Sequence, residues 1–321
     1  MSTIAIIGTG VIGAAWATGF LAAGHTVTAF DPAPGAEARL REQVSTFVGE
    51  AGAAAASAGG DSSTAAAATT PSSDELTFAP SLAEAVADAD FVQENGPERL
   101  EVKQAMLAEI DAAAPASAVI ASSTSGFSPS QLNAHATKAP GRIIVGHPFN
   151  PAHLVPLVEV VPSTGTSATV VDRALEVYRA IGKKPILVRA ELPGHVANRL
   201  QAAMWQEAYS LVDRGVVSVT DIDTAISSGP GLRWAILGPL AQQSLSGGAG
   251  GMRHVLDHLG PPQEVWMHDL EQVHLGEDLK EKLISGVDEE LDGRDPAVLA
   301  KQRDDMLLEI IALKRKYGEL P

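Results

Sequence analysis

The N-terminal part of the chain carries the pattern that most constrains its fold. A short β-branched run, Thr3 to Ile7, ends in the glycine-rich turn Gly8-Thr9-Gly10-Val11-Ile12-Gly13, and an apolar helical stretch follows up to Ala23. A second strand pattern, Thr26 to Phe30, leads directly into Asp31. Strand, glycine turn, helix, strand and acidic residue in this order predict the first unit of a mostly parallel, Rossmann-type sheet.

The glycine turn predicts a site for a dinucleotide. Gly8 permits the tight turn, Gly10 lets a pyrophosphate approach the backbone, and Gly13 lets the helix pack closely against the strand. The first helical residues, Val11 and Ile12, bring free N–H groups and the positive end of the helix dipole to the phosphates. A nicotinamide cofactor is the favoured ligand, and a flavin or S-adenosylmethionine site with a similar turn is the alternative.

Asp31 indicates which nicotinamide cofactor is used. It follows Gly8 by 23 residues, and a carboxylate at such a position accepts hydrogen bonds from the 2′-OH of the adenine ribose. Its next neighbours are Pro32 and Ala33, so no arginine follows it to hold a 2′-phosphate. We therefore expect NAD rather than NADP.

Alternation of strands and helices continues to Val188, and only helical patterns follow it. Strand patterns lie near residues 90–93, 118–121 and 143–146, and helical patterns lie near 81–87 and 100–112. Further helical patterns cover 200–214, 219–227, 237–245, 252–259 and 298–317. This order predicts an α/β domain over residues 1–189, with helices on both faces of the sheet, and an all-helical domain over residues 190–321.

Composition excludes several classes of partner and site. The net charge of −16 argues against nucleic acid and anionic membranes, which require basic patches. The chain has no cysteine, and the helical pair His254 and His258 lacks a third ligand signal, so we expect no metal site. There is no signal-peptide pattern and no apolar run long enough to cross a membrane, so a soluble cytoplasmic protein is expected.

One stretch, GHPFNPAHLVPLVEVV from Gly146 to Val161, holds the strongest candidates for acid–base chemistry. His147 precedes Glu159 by twelve residues, and the apolar run from Leu154 to Val158 indicates a buried strand that leads into the carboxylate. A histidine held by a carboxylate is a suitable general base near neutral pH. On the residues alone, His147 can also cap a loop and Glu159 can be a surface carboxylate.

Eight motifs, in this order, carry a resemblance to a known family: IIGTGVIG, FDPAPGAEARL, QENGPERLEVK, ASSTSGFSPS, GHPFNPAHLVPLVEVV, PGHVANRL, GPGLRWAILGPL and GGAGGMRH. Over nearly its whole length the chain resembles the 3-hydroxyacyl-CoA dehydrogenase family, in particular the branch of L-carnitine dehydrogenase and L-gulonate 3-dehydrogenase (lambda-crystallin). The resemblance implies a Rossmann-type NAD domain joined to a helical domain, and a homodimer formed through the helices.

The resemblance also implies roles for individual residues at the reacting centre. His147 is then the general base and Glu159 the partner that orients it. Ser125 and Asn198 hold the reacting oxygen, although Ser125 alone also suits a turn and Asn198 a helix cap. Asn150 buttresses the loop that follows His147.

Further roles concern the cofactor and the rest of the substrate. By the same resemblance Glu98 and Lys103 contact the nicotinamide side of NAD, together with Ser125. Arg233 is a natural bidentate anchor for a carboxylate, and Trp234 offers an aromatic face to a quaternary ammonium. Both residues can also be structural parts of a helical domain.

The segment after the second strand bears on the substrate. No lysine or arginine occurs between Arg41 and Arg99, and residues 51–73 are almost entirely Ala, Ser, Gly and Thr, as in a loose helical hairpin or a disordered loop. Family members that act on acyl-CoA place basic residues there, so we expect a small free L-3-hydroxy acid, such as carnitine or gulonate, that is oxidised to the 3-keto acid. The motif PGHVANRL, with His195 and Asn198, departs from the PGFIADRL of carnitine enzymes.

Two alternatives stay open at this point. The first is an L-3-hydroxyacyl-CoA dehydrogenase, which performs the same reaction on a thioester. The second belongs to another class, a crystallin-like structural protein that binds NAD without required turnover.

Overall fold

The structure is a computed structural model that describes residues 1–57 and 76–318. The chain forms two compact units, one up to Arg199 and the other from Leu200 onward. The sequence pattern places the domain boundary earlier, at residue 189. None of the described helices has the length and apolar character needed to cross a membrane.

The first unit is built on one eight-stranded sheet with the order β3-β2-β1-β4-β5-β6-β7-β8. The strands are β1 (Thr3–Ile7), β2 (Thr26–Phe30), β3 (Leu76–Phe78), β4 (Phe91–Glu94), β5 (Val119–Ser122), β6 (Ile143–Pro148), β7 (Leu157–Val161) and β8 (Lys184–Leu187). Neighbouring strands are parallel except for β6 and β7, which are antiparallel. The predicted mostly parallel sheet is confirmed.

In the described part of the first unit, six α-helices cover the two faces of this sheet. They are α1 (Val11–Ala22), α2 (Ala36–Ser57), α3 (Leu82–Val86), α4 (Leu100–Ala113), α5 (Pro129–Leu132) and α6 (Ala168–Ala180). Side chains of β1 alternate between two cores, because successive residues of a strand point to opposite faces. Ile4 and Ile6 join the core that contains Trp16 of α1, whereas Ile7 joins the core that contains Leu107 of α4. Helices on both faces, as predicted, are therefore confirmed.

In its described part, the second unit contains helices and no strand. The first helix is α7 (Ala197–Asp213), which begins three residues before the unit does. The helices after it are α8 (Val219–Ser227), α9 (Pro230–Trp234), α10 (Pro239–Ser246), α11 (Gly251–Asp269), α12 (Glu277–Leu291) and α13 (Pro296–Lys316). Within residues 200–318, only Val255 and Leu279 are fully buried apolar residues. Large apolar side chains are exposed instead, as at Trp266, which is 63% exposed.

The structure places one predicted strand differently and contains helices that the sequence pattern did not predict. The buried strand expected over residues 154–158 is instead β7, Leu157–Val161. Pro156 has no N–H group for a strand ladder, and the N–H groups of Leu154 and Val155 bond to the carbonyl of Pro151 in a turn. Part of the Ala-rich segment, up to Ser57, continues α2, whereas residues 58–73 lie outside the described part of the chain. Helices α6 and α12 were not predicted.

Candidate active site

His147 and Glu159 form a buried pair in the first unit. They lie directly opposite each other in the antiparallel register of β6 and β7. Nδ1 of His147 is 2.8 Å from Oε2 of Glu159, and the two side chains are 6% and 0% exposed. Glu159 lies inside its strand and is fully buried, so the surface-carboxylate interpretation is wrong. The pair leaves Nε2 of His147 as the nitrogen that can exchange a proton with a substrate.

The second oxygen of Glu159 fastens the start of α7. Oε1 accepts hydrogen bonds from the backbone N–H groups of Val196 (2.8 Å) and Ala197 (2.9 Å). Burial would raise the pKa of Glu159, but the bonds from His147, Ala197 and Val196 outweigh burial and lower the pKa. An ionised Glu159 is suited to hold His147 in one tautomer and to stabilise the imidazolium.

The loop after β5 brings Ser125 and Asn198 together. Nδ2 of Asn198 donates a 3.2 Å hydrogen bond to the backbone oxygen of Ser125. The N–H group of Ser125 donates to Oε1 of Glu98 (2.9 Å), which also accepts the hydroxyl of Thr124 (2.5 Å). Glu98 therefore holds the loop that presents Ser125.

Lys103 is buried beneath this loop, and protein groups surround its ammonium. Nζ lies 3.1 Å from Oε1 of Glu94, 3.0 Å from the carbonyl of Gly96 and 3.5 Å from Oε2 of Glu98. Glu94 is fully buried and also accepts a 2.5 Å hydrogen bond from Ser122. Lys103 thus joins two carboxylates and the backbone after β4.

A pocket of ≈ 190 Å³ connects the glycine turn to the Ser125 loop. Its lining residues are Ile12, Asn95, Gly96, Glu98, Lys103, Ser123 and Ser125. The residues that sequence reasoning assigned to the nicotinamide side therefore share one cavity with the start of α1.

The glycine turn has the shape that a dinucleotide requires. A Cβ on Gly8, where φ is +86°, would lie 2.8 Å from the backbone of Asn95, and a Cβ on Gly13 would lie 2.0 Å from the oxygen of Gly8. A Cβ on Gly10, in contrast, would meet nothing within 4 Å, so the backbone there faces open space. These residues fit NAD, whose pyrophosphate needs this backbone uncovered at a helix start.

Asp31 is anchored to the glycine turn. Its Oδ2 accepts the backbone N–H of Thr9 (2.8 Å) and the Thr9 hydroxyl (3.2 Å), and its Oδ1 accepts the N–H of Ala33 (2.9 Å). The carboxylate therefore has a fixed orientation at the end of β2. It retains lone pairs that can accept a ribose hydroxyl, because each oxygen can accept more than one hydrogen bond.

The loop from Phe149 to Pro156 follows His147 and contains Asn150. Asn150 is exposed, and its peptide bond to Pro151 is cis. Nζ of Lys183 holds the loop by hydrogen bonds to the carbonyls of Ala152 (2.5 Å) and Val155 (2.8 Å). Lys183, which sequence reasoning missed, is therefore one side chain that buttresses this loop, whereas the role predicted for Asn150 stays a prediction.

The remaining predicted residues lie in the second unit. Arg233 and Trp234 end the short helix α9, and both are exposed. His254 and His258 lie on α11 with ring centres 4.1 Å apart. In the described part of the chain, no group of three or more metal-ligating side chains is assembled.

A polar cluster under the site was also missed by sequence reasoning. Oγ of Ser123 accepts hydrogen bonds from Trp16 (3.0 Å) and Gln93 (2.8 Å) and donates one to Asn95 (2.7 Å). The amide oxygen of Gln93 in turn accepts the hydroxyl of Tyr178 (2.7 Å). The only sequence signal was the run of polar residues Gln93, Glu94 and Asn95 at the end of a buried strand.

His195 is another missed residue of the site. It is 0% exposed, its ring centre is 5.5 Å from that of His147, and its φ is +52°. Its departure from the phenylalanine of PGFIADRL was the available signal.

Two family models together match most of the chain. The NAD-binding domain of 3-hydroxyacyl-CoA dehydrogenase matches residues 3–191, and the C-terminal domain of 3-hydroxyacyl-CoA dehydrogenase matches residues 194–287. Both the NAD-binding part and the helical part of the chain thus match domains of 3-hydroxyacyl-CoA dehydrogenase.

Individual proteins agree with these models. An L-carnitine dehydrogenase of Nocardiopsis dassonvillei is 48% identical over 96% of this chain and 90% of its own length. A 3-hydroxyacyl-CoA dehydrogenase of Gibberella moniliformis is 42% identical over 99% of this chain and 96% of its own length.

A solved structure extends the likeness to the fold. That of 5-formyl-3-hydroxy-2-methylpyridine 4-carboxylic acid 5-dehydrogenase, an NAD⁺-dependent dismutase, has a TM-score of 0.80 and 27% identity, with 98% of both chains covered. The glycine turn, the buried acid–base pair and these matches agree, and the chain belongs to the 3-hydroxyacyl-CoA dehydrogenase family as an NAD-dependent dehydrogenase.

Proposed function

We propose that the protein oxidises the 3-hydroxyl group of a small free L-3-hydroxy acid to the 3-keto acid, with carnitine-like and gulonate-like acids as the favoured substrates. The observation that carries the proposal is the buried pair of His147 and Glu159, 2.8 Å apart, in the same unit as the NAD turn. Oxidation of an alcohol needs a proton acceptor, and an imidazole held by an ionised carboxylate suits that role near neutral pH.

His147 moves the proton, and Glu159 holds the imidazole in position. Nε2 of His147 takes the proton of the substrate hydroxyl, while Glu159 keeps Nδ1 protonated and stabilises the imidazolium. The glycine turn and Asp31 would hold NAD, which would supply the acceptor for the hydride of C3. In the reverse direction the imidazolium returns its proton to the forming alcohol.

Ser125 and Asn198 orient the oxygen of the substrate. The side chain of Asn198 already donates a 3.2 Å hydrogen bond to the backbone oxygen of Ser125, so the two residues lie next to each other. Hydrogen bonds from small polar side chains stabilise negative charge on an oxygen as it develops in the transition state. Glu98, on the nicotinamide side, accepts a hydrogen bond from the N–H group of Ser125 and so holds its loop. Lys103 in turn contacts Glu98 and the carbonyl of Gly96.

The charge of the chain favours a free acid over a CoA thioester. A CoA molecule brings a phosphoadenosine with several negative charges, which cationic side chains bind well. The 57 residues from Glu42 to Glu98 contain neither lysine nor arginine. The relative from Nocardiopsis dassonvillei, named an L-carnitine dehydrogenase, supports the same choice.

Arg233 and Trp234 are proposed as substrate residues on their chemistry. Arginine binds a carboxylate with two parallel hydrogen bonds, and an aromatic face attracts a quaternary ammonium. Both side chains are exposed. We also place the protein in the cytoplasm as a homodimer formed through the helical domain, taken as residues 190–321.

A substrate panel tests the proposal. The protein is mixed with NAD and carnitine, gulonate, 3-hydroxybutyrate or 3-hydroxybutyryl-CoA, and the absorbance of NADH is followed. We expect the highest kcat/KM with a free acid. A preference for the thioester supports the second candidate, a 3-hydroxyacyl-CoA dehydrogenase, which the name of the Gibberella moniliformis relative favours. If NAD binds but none of the panel is oxidised, the proposal of a 3-hydroxy acid substrate fails, and a crystallin-like binding role gains support.

A further inference from the structure

His195 is a buried polar side chain without a partner. It is 0% exposed, and neither Nδ1 nor Nε2 has a hydrogen-bond partner among the residues that the structure describes. The backbone of Thr124 makes only a weak contact with the ring, which raises the pKa of His195 by less than burial lowers it, so the contact does not satisfy the buried imidazole. Because buried polar groups in folded proteins are almost always hydrogen-bonded, a lone imidazole of this kind indicates a ligand or water that binds it.

The backbone at this position is also unusual. His195 has φ of +52°, in the left-handed region, directly after Gly194 with φ of +70°. A residue other than glycine in this region is held there by its surroundings and is often found at a functional site. The following N–H groups, of Val196 and Ala197, bond to Glu159 and hold the turn in place.

His195 lies beside the proposed base. The ring centres of His195 and His147 are 5.5 Å apart, and both segments are attached to the carboxylate of Glu159. A hydrogen bond spans about 2.6–3.2 Å, so one small molecule can bond to both imidazoles at once. When the reacting hydroxyl lies at His147, an oxygen on a nearby carbon of the substrate lies within hydrogen-bonding distance of His195.

We propose that His195 is a substrate-binding residue, and that its imidazole hydrogen-bonds to an oxygen of the bound hydroxy acid other than the reacting hydroxyl. This inference rests on the proposed function, since it needs a substrate whose hydroxyl lies at His147. The partner oxygen belongs to a neighbouring hydroxyl or to the carboxylate. Because the ring is fully buried, contact with this oxygen requires the side chains around the imidazole to move when the substrate binds.

The charge of His195 agrees with this role. Burial, and after it the neighbouring His147, lower the pKa of His195, so the ring is neutral near pH 7. A neutral imidazole has one donor and one acceptor nitrogen, which suits a hydroxyl group and also a carboxylate oxygen. An apolar ring of similar size would fill the same space and leave no nitrogen unpaired, but it would offer the substrate no hydrogen bond.

Two substitutions and a control separate binding from packing. His195→Phe keeps an aromatic ring and removes both nitrogens, whereas His195→Asn keeps a donor and an acceptor and tolerates the left-handed backbone. His135→Phe makes the same chemical change at an exposed position of the first unit. Melting temperature and the Kd of NADH, from its fluorescence, report on folding and on the cofactor site.

We expect His195→Phe to lower kcat/KM about tenfold, the effect of one hydrogen bond to the substrate. His195→Asn should recover part of the loss, and neither variant should change the Kd of NADH. An equal loss on carnitine, gulonate and 3-hydroxybutyrate identifies the carboxylate as the partner, whereas a loss confined to gulonate identifies a hydroxyl. Wild-type kcat/KM in His195→Phe on every substrate that the wild type oxidises overturns the proposal.

A binding measurement keeps the inference testable without turnover. In ¹⁵N-histidine-labelled protein, the ring signals absent from His195→Asn belong to His195. They should shift when a hydroxy acid from the panel is added to the NADH-bound protein, and signals absent from His135→Phe should not. If a hydroxy acid binds and the His195 signals stay in place, the role of His195 is refuted. If no substrate is oxidised but these signals shift, the proposed reaction fails while the contact stands.

Discussion

Glu159 lies directly opposite His147 across the antiparallel strands β6 and β7, with Oε2 2.8 Å from Nδ1. Directly paired residues of an antiparallel ladder project to the same face of the sheet. The twelve-residue spacing in the sequence is therefore the length of a strand reversal that returns the carboxylate to the histidine. Both side chains are buried, so water does not compete for the contact.

The pair leads to a prediction for catalysis. His147→Ala removes the base and is expected to lower kcat by about 10²–10⁴. Glu159→Gln keeps the shape but removes the charge that stabilises the imidazolium, so a clear loss of kcat is expected there too. Steady-state rates with the preferred substrate measure both effects. NADH binding should be retained, and the exposed control His135→Ala should keep the wild-type rate; unchanged turnover in His147→Ala would contradict the base assignment.

Cofactor preference gives a second prediction. Asp31→Ala removes the acceptor for the ribose hydroxyl and the bonds to Thr9, so the preference for NAD over NADP should fall by about tenfold or more. The ratio of kcat/KM for NAD and NADP measures it. Thr9→Val is the matched control, because it removes only the 3.2 Å hydroxyl bond and leaves the Asp31 carboxylate. A wild-type enzyme that already prefers NADP contradicts the role of Asp31.

Lys183 predicts a dependence of stability on pH. Burial lowers the pKa of Lys183 to about 8 from its ordinary 10.5. Between these values the unfolded chain binds more protons than the folded one, so the free energy of unfolding gains a contribution that rises with pH. That contribution is fully present above pH 10.5 and is lost as the pH falls through about 8.

Lys183→Met removes this titration. Urea unfolding at several pH values from 7 to 10 should show a smaller rise of stability with pH in the variant than in the wild type. The variant also loses the bonds to the carbonyls of Ala152 and Val155. Because these bonds hold the loop after His147, we expect their loss to lower kcat. Lys184→Met, at an exposed neighbouring position, is the control. Identical pH slopes for wild type and Lys183→Met argue against the lowered pKa.

The surface of α11 predicts self-association. Val265, Trp266 and Met267 are 66%, 63% and 65% exposed. Large apolar side chains exposed together on one helix are typical of an interface. We expect light scattering to give the mass of two chains for the wild type and of one chain for Trp266→Glu. Tyr317→Glu is the control, because it changes an exposed aromatic residue at the end of a different helix, α13. A monomeric wild type would contradict the proposed homodimer.

Much of the first unit could be predicted because its signals are local. The glycine turn, the β-branched runs and the apolar helix α1 depend on neighbours within a few residues, and β1 and β2 have the predicted bounds. The strand β7 was misplaced by three residues, because the apolar pattern does not show that residues 151–155 form a turn. The fastening of that turn by Lys183 is a contact over about thirty residues, which no local pattern reveals.

Local patterns were sufficient to predict an NAD turn, a sheet domain before a helical one, and the histidine and carboxylate that were candidates for the chemistry. Those features follow from backbone geometry and hydrophobic periodicity within short stretches. Three further features emerge only in the folded chain: Glu159 is buried against His147, its other oxygen holds the start of α7, and His195 lies beside them without a partner. Contacts between distant segments form only when the sheet register brings them together, and burial then determines which polar groups need a partner.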